Sequence, residues 1–389
     1  MEKQEMLKNG MDLIYLARCA LAGETPDPYM VEAMDLEAVY AMAKDHSMVA
    51  VAAYAVESYA QAYPENCLEK TQLCDGWIRQ KMRIIRRNLL LDIERESILA
   101  HLEQIGCWYM PLKGVHMQEL YPKAGMRQMC DNDILIDPAF RSEIKDYMEK
   151  RGYQTILFDR FNHDEYRMDP HYNFEMHVTL MPRGARWHGY YQNVKKRLLK
   201  DETNQFGYHF SQEDFYLFLM AHAAKHHEHA GNGIRWFMDL FVFESQKGKT
   251  LNREYIQQEL EKMDLTGYAK SITDLSEKLF GQGGELNDED RQLLLYHISA
   301  GTYGNQTIKM DNGLKRFANK DGKITLWSKV RYSLRRLFPD VTFYEHYAPL
   351  AYRYKILIPF AAVYRIFSRL ILSFPNVWRE AKRTWKKTK

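Results

Sequence analysis

Cysteine is scarce in this chain and follows no pattern. The 389 residues hold five, Cys19, Cys67, Cys74, Cys107 and Cys130, an odd number without metal-site spacing, which argues against a disulfide framework or a cysteine-built zinc module. Cys130 abuts Asp131 and reads as a small buried residue rather than a nucleophile. The opening MEKQEMLKNGMDLIYLA lacks a basic stretch followed by a purely apolar one, so no secretory signal is expected and a reducing cytoplasm is the simplest compartment. Tandem repeats and low-complexity segments are absent, and the notable glycine-rich loop, GQGGELND from Gly281 to Asp288, reads as a turn. What remains is 46% hydrophobic and 13% aromatic, enough for a buried core and two or three substructures.

Charge is unevenly distributed. Residues 331–389 carry 13 Lys and Arg against Asp340, Glu345 and Glu380, a net +10 that leaves −7 for residues 1–330 of a total of +3. A basic tail on an acidic body suggests an anionic partner. Within it, Phe360, Val363, Tyr364, Phe367, Leu370 and Ile371 recur at helical spacing, with Arg365 and Arg369 on another face. Those arginines and Pro359 oppose a membrane span, which needs about 20 mainly apolar residues. The expected arrangement is a helix packed on the body with a solvated Lys-rich end. The alternatives are peripheral docking at the inner membrane surface, or contact with RNA through Arg and interleaved tyrosines.

The pattern along the chain predicts an α+β protein, a small mixed β-sheet flanked by large helical regions. Residues 1–104 read as helical: Asp35 opens DLEAVYAMAKDHSMVAVAAYAVESYAQAY, and a long helix from about Asp75 to Gln104 stops at Gly106. That helix carries Arg79, Lys81, Arg83, Arg86 and Arg87, usually a solvated face and alternatively the wall of an acceptor groove. Residues 105–210 form an α/β unit with a helix after Pro138 and strands near Tyr153 and Tyr172. Residues 211–330 return to helices, and 331–389 form the tail.

Chemistry concentrates in MPLKGVHMQELYPKAGMRQMCDNDILID, Met110 to Asp137. Strand side chains repeat direction every second residue, so Asp131 and Asp133 share a face while Asn132, Ile134 and Ile136 take the other. In YNFEMHVTL, Tyr172 to Leu180, Phe174, Met176, Val178 and Leu180 alternate with Glu175, His177 and Thr179. Three carboxylates on neighbouring strands suit Mg²⁺ or Mn²⁺, hard cations that prefer oxygen and bind through carboxylates plus substrate phosphates. Gly114 permits close approach of backbone to an anion, Lys113 adds a compact cation, and Arg127 offers a bidentate fork to phosphate or to the aspartates.

These landmarks, in order, resemble a known family. Leu112-Lys113-Gly114, Leu120-Tyr121-Pro122, Arg127 ahead of Asp131-Asn132-Asp133, Glu175-Met176-His177 and the His222–Asp239 region look like the uncharacterised nucleotidyltransferase family (the NTP_transf_5 group) of the polymerase-beta-like nucleotidyltransferase superfamily. The specific part of the likeness covers about residues 108–240. It implies a mixed sheet with flanking helices, metal-dependent transfer of a nucleotidyl group from a nucleoside triphosphate, and Asp131, Asp133 and Glu175 as metal ligands, with Glu175 alternatively the base. Lys113, Gly114 and Arg127 fall to the triphosphate and His177 to an adjacent contact. In the wider superfamily the first strand ends in Gly-Ser, whereas this chain has Lys113-Gly114-Val115, so phosphate binding rests on different groups. The acceptor, whether protein, sugar, antibiotic, lipid head group or RNA, is not encoded legibly.

A second constellation lies in SQEDFYLFLMAHAAKHHEHAGNGIRWFMDLFVF. Ser211 and Asp214 resemble a capping box. His222 and His226 fall on one helical face at the spacing zinc hydrolases use, but Ala223 stands where an HExxH motif needs Glu. They read as a polar face lining the cleft, with Arg235 and Asp239 on the next helix; a zinc-dependent hydrolase is the rival. A non-catalytic nucleotide-binding or membrane-associated scaffold is the other.

Overall fold

A 35-residue helix is the spine on which the rest is laid. The computed structural model describes residues 3–65, 71–281, 283–319, 321–339, 343–344 and 347–372; Cys67 and residues 373–389 of the basic tail lie outside that set. Helices α1 (Lys3–Ala22), α2 (Pro28–Glu32), α3 (Leu36–Asp45) and α4 (Val49–Ala62) precede the spine, α5 (Thr71–Ile105), which Gly106 ends in the left-handed conformation at φ +75°. Asp35 opens α3 as expected, its Oδ1 accepting from the amides of Glu37 and Ala38 at 3.1 and 3.0 Å. The anticipated single run from Asp35 is broken where Ser47 turns to φ +54°, giving α3 and α4 separate directions.

The sheet contains β1 (Tyr109–Pro111), β2 (Asn132–Ile136), β3 (Gln154–Leu157), β4 (His163–Met168) and β5 (Tyr172–His177), with α6 (Gly114–Glu119) and α7 (Arg141–Lys150) between them. Their order is β1-β2-β5-β4-β3, with β2 and β5 parallel and the other pairs antiparallel. It is the mixed sheet with flanking helices of an α+β fold. Strand β4 was not foreseen: HDEYRM is mostly polar, yet Asp164 is fully buried, where its carboxylate accepts from Arg141 Nε at 2.8 Å. The strand at Tyr172 ends at His177, short of the expected Leu180.

The sheet has one covered face and one working face. Ile134, Ile136, Phe174 and Met176 pack against Ile98 and Leu102 of α5 and Ile144 and Met148 of α7. On the opposite face Leu135 joins a large core that also includes Leu13, Val51, Met110, Leu219, Leu240 and Leu294, drawing in both helical regions. After a short hairpin, β6 (Leu199–Lys200) with β7 (Tyr208–His209), come α8 (Gln212–His227), α9 (Arg235–Lys247), α10 (Arg253–Lys262), α11 (Thr266–Phe280), α12 (Asp288–Ala300), α13 (Gln306–Lys315) and α14 (Leu326–Leu337). The box at α8 is one-sided: Ser211 Oγ accepts from the Asp214 amide at 3.1 Å, while the Asp214 carboxylate accepts from Arg197 and Tyr255.

Residues 349–353 and 358–372 are helical, and around Tyr344, Ala351 and Ala362 they form a small cluster of their own. The part of the stripe that is described does not pack on the body: Phe360, Val363, Tyr364 and Phe367 are exposed, while the side chains of Leu370 and Ile371 lie outside the described residues. Among the described residues no helix is long and apolar enough to cross a membrane.

Candidate active site

Register brings the three acids together. Strand β2 runs beside β5 with Asp133 opposite Glu175, and Asp131 immediately precedes β2 instead of lying within it. Parallel pairing keeps side-chain direction in step between neighbours, so the carboxylates of Asp131, Asp133 and Glu175 emerge on the working face with one oxygen each within 4.8 Å of the others. Between the aspartates, Asn132 turns the other way and is fully buried, its Nδ2 donating to the Leu91 carbonyl at 3.2 Å and its Oδ1 accepting from Arg95 at 3.3 Å. The Asp-Asn-Asp triplet thus pins the strand to α5 through its middle residue and presents acids through its outer two.

The charges on this face are strongly coupled. Burial, then the neighbouring charges of Asp133 and Glu175, push the Asp131 carboxyl up to about 6. Burial acts on Asp133 in the same direction but is outweighed by Lys113 and His177, which hold its carboxyl well below the usual range. Lys113 Nζ donates to Asp133 Oδ2 at 3.0 Å, and His177 Nε2 lies 3.3 Å from Asp133 Oδ1 and 3.4 Å from Glu175 Oε2. Burial disfavours the charged form of His177, but hydrogen bonds to those two carboxylates prevail and raise its pKa. His163, opposite His177 on β4, completes a second ligand-like group with Glu175 and His177. Its Nε2 is 3.7 Å from Glu175 Oε2.

The phosphate candidates are placed differently from one another. Lys113 has φ +27° and ψ −77°, a rare backbone state for a residue with a side chain, at the turn where the Leu112 amide donates to the Asp133 carbonyl at 2.9 Å. A Cβ on Gly114 would lie 2.6 Å from Met129 Cε and 3.1 Å from Arg127 Nη1, so the glycine makes room for this packing. Arg127 is buried, and its fork is engaged: Nε and Nη2 donate to Asp239 at 2.9 and 3.2 Å, and Nη1 to the Gly114 carbonyl at 3.2 Å. Tyr121 donates to the same Asp239 at 2.7 Å. Arg127 therefore braces the Gly114 turn against α9.

Helix α8 forms the facing wall. His222 and His226 stand side by side with ring centroids 4.4 Å apart, and His222 Nε2 lies 3.3 Å from Lys113 Nζ. Burial and then nearby positive charges push both pKa values down, that of His226 to about 3. Among the described residues, neither histidine belongs to a group of three metal-ligating side chains. Three groups escaped sequence reasoning. His163 lies on the unforeseen strand; Lys225, on α8, interacts electrostatically with Asp133 and Glu175; and Tyr303, 76% exposed, lines the cleft from the turn after α12. Burial, then Lys113, lowers the Lys225 pKa to about 8. Only the helical spacing of Lys225 from His222 signals its direction in sequence; Tyr303 carries no local signal.

The cleft, about 1030 Å³ counted out to its open mouth, is lined by Lys113, Gly114, Asp131, Asp133, His222 and Arg235 among others. Its donor set fits a divalent cation: hard oxygens converge from three carboxylates, and their mutual repulsion on Asp131 marks negative charge left uncompensated. An acidic group able to hold a metal ion on one face of a mixed sheet is compatible with nucleotidyl transfer. Residues 32–281, well over half of the chain, match the family described as uncharacterised nucleotidyltransferase, and the chain belongs to that family, with the general role of a nucleotidyltransferase. No curated protein and no solved structure matches the chain.

Proposed function

We propose that this protein transfers a nucleoside monophosphate from a nucleoside triphosphate to a hydroxyl-bearing acceptor, releasing pyrophosphate. The observation that carries the reading is the convergence of Asp131, Asp133 and Glu175 on one face of the β2–β5 pair. Asp131 and Asp133 would hold Mg²⁺ or Mn²⁺, and Glu175 either completes the set or takes the acceptor's proton. When bound, such ions lower the pKa of the attacking hydroxyl and neutralise charge on the phosphates.

The chain's own groups do the positioning. Lys113 and Lys225 bring positive charge to the triphosphate from opposite walls, taking the place of the Gly-Ser of the wider superfamily. Arg127 acts at one remove, through the Gly114 carbonyl that it holds. His177 spans Asp133 and Glu175 and fixes their spacing. The exposed ring of Tyr303 offers a stacking platform for the base at the mouth of the cleft. Catalysis of this kind rests on orientation and charge neutralisation rather than on a covalent enzyme intermediate.

The test is incubation with each labelled nucleoside triphosphate, Mg²⁺ or Mn²⁺ and a cell extract, comparing the wild type with the double variant Asp131→Asn, Asp133→Asn. Transfer falls by roughly 10²–10⁴-fold in the variant, the scale of several kcal/mol of lost charge stabilisation. Transfer that survives the double change removes the proposed site, and the labelled product otherwise identifies the acceptor. Nucleotide binding without pyrophosphate release would favour a scaffold.

A further inference from the structure

We propose that residues 326–372 form a docking surface for an anionic lipid bilayer, on which the protein lies without crossing it. The helix at 358–372 is turned inside out. Four of its large side chains lie on the solvent side, Phe360 at 71%, Val363, Tyr364 at 76% and Phe367 at 60% exposure, with Ile356 at 79% just before it. The positions 360, 363, 364 and 367 are one stripe at i, i+3, i+4 and i+7. The inner side carries Ala361 and Ala362 and, unexpectedly, Arg365, whose Nη2 donates to the carbonyls of Arg336 and of Leu337, the latter at 3.0 Å. That guanidinium also lies over the Phe343 ring, 4.9 Å from its centroid. Anchoring the arginine inward fixes the helix with its apolar stripe outward. Helix α14 adds exposed Leu326, Trp327, Leu334 and Leu337, and Phe338 follows directly after it.

In water an exposed stripe of this kind on one helix is unfavourable, and single exposed side chains do not account for it. The charge around it selects the occupant. Residues 326–372 carry eight Lys and Arg against Asp340 and Glu345, a net +6. A second copy meeting this surface about a two-fold axis would oppose cation to cation. RNA would use the aromatic rings, but Ile356, Leu357 and Val363 offer it no stacking partner. An anionic bilayer uses both components: headgroups meet the cations, and the acyl boundary receives aromatic and aliphatic side chains alike. Among the described residues no helix is long and apolar enough to span a hydrocarbon core, and Arg365 interrupts this one.

The test is co-sedimentation of the full chain with phosphatidylcholine vesicles with and without phosphatidylglycerol. The wild type sediments with the anionic vesicles, and less so as salt rises. The double variant Phe360→Asp, Phe367→Asp binds about tenfold more weakly or worse, with an unchanged unfolding midpoint because both side chains are exposed. A second variant, Arg353→Gln with Lys355→Gln, weakens binding to anionic vesicles at low salt while leaving the apolar stripe intact. Absence of sedimentation, or equal binding by the aspartate variant, overturns the proposal. So does a wild-type dimer, or a complex with RNA, that the aspartate pair dissolves. None of these outcomes depends on the transfer reaction.

Discussion

Asp239 shows how much of this cleft depends on single buried charges. It accepts from Arg127 twice and from Tyr121 once, away from water. Replacing it with Ala leaves the Arg127 guanidinium buried and uncompensated, a loss of about 3–5 kcal/mol of stability, whereas Asp239→Asn keeps part of the hydrogen bonding and costs less. Chemical denaturation of the two variants checks the order, and equal losses would contradict it. His46 gives a pH dependence. It is buried, its Nδ1 accepts from the Ile234 amide at 3.2 Å, and burial pushes its pKa from 6.5 to about 4. The folded state then binds fewer protons than the unfolded state between these values. Stability from this group is therefore complete above pH 6.5 and falls as pH drops toward 4, by up to about 3 kcal/mol. His46→Gln retains an acceptor and removes this slope; parallel profiles of unfolding midpoint against pH for wild type and variant would rule it out. Strand periodicity, being local, put Asp131 and Asp133 on one face and Glu175 on the open face of its strand, while the partner of Arg127 lies 112 residues away and no spacing rule reaches it.

At the scale of elements, the alternation of β2 divides labour within three residues. Asn132→Leu removes the polar link to α5 without touching either flanking carboxylate, so it is expected to lower stability by about 1–3 kcal/mol through the buried groups it strands. If the strand is anchored this way, transfer activity falls too, because the aspartates lose their footing; an unaltered rate at unaltered stability would refute the anchoring role. The strand bearing Tyr172 was readable because apolar and polar residues alternate there, and the one bearing the Asp-Asn-Asp triplet because an apolar Ile-Leu-Ile run follows the acids. Strand β4 was not, because its buried members include Asp164, paired with Arg141 in a way that hydropathy cannot register. The outward stripe of the final described helix misled for the same reason. Helical spacing shows that a face exists, but what covers it is decided by Arg365 and its carbonyl acceptors.

At the scale of the molecule, the large core joins segments from Leu13 to Ile298, while Tyr344, Ala351 and Ala362 form a separate small cluster. Limited trypsin digestion is therefore expected to cut first near Arg316 and Lys323, around the turn between α13 and α14, leaving a body that still unfolds cooperatively. First cuts inside α5 or α8 would contradict that division.

The cleft draws its lining from Lys113 to Asp133, from Leu219 to Asp239 and from Thr302 and Tyr303, stretches that meet only after nearly two hundred residues of intervening chain have folded. A ribosome releasing this polypeptide gradually would therefore expose the acids of β2 and β5 before the histidines of α8 and the tyrosine at the rim arrive. The cleft is then complete only once α12 and the turn that follows it have docked.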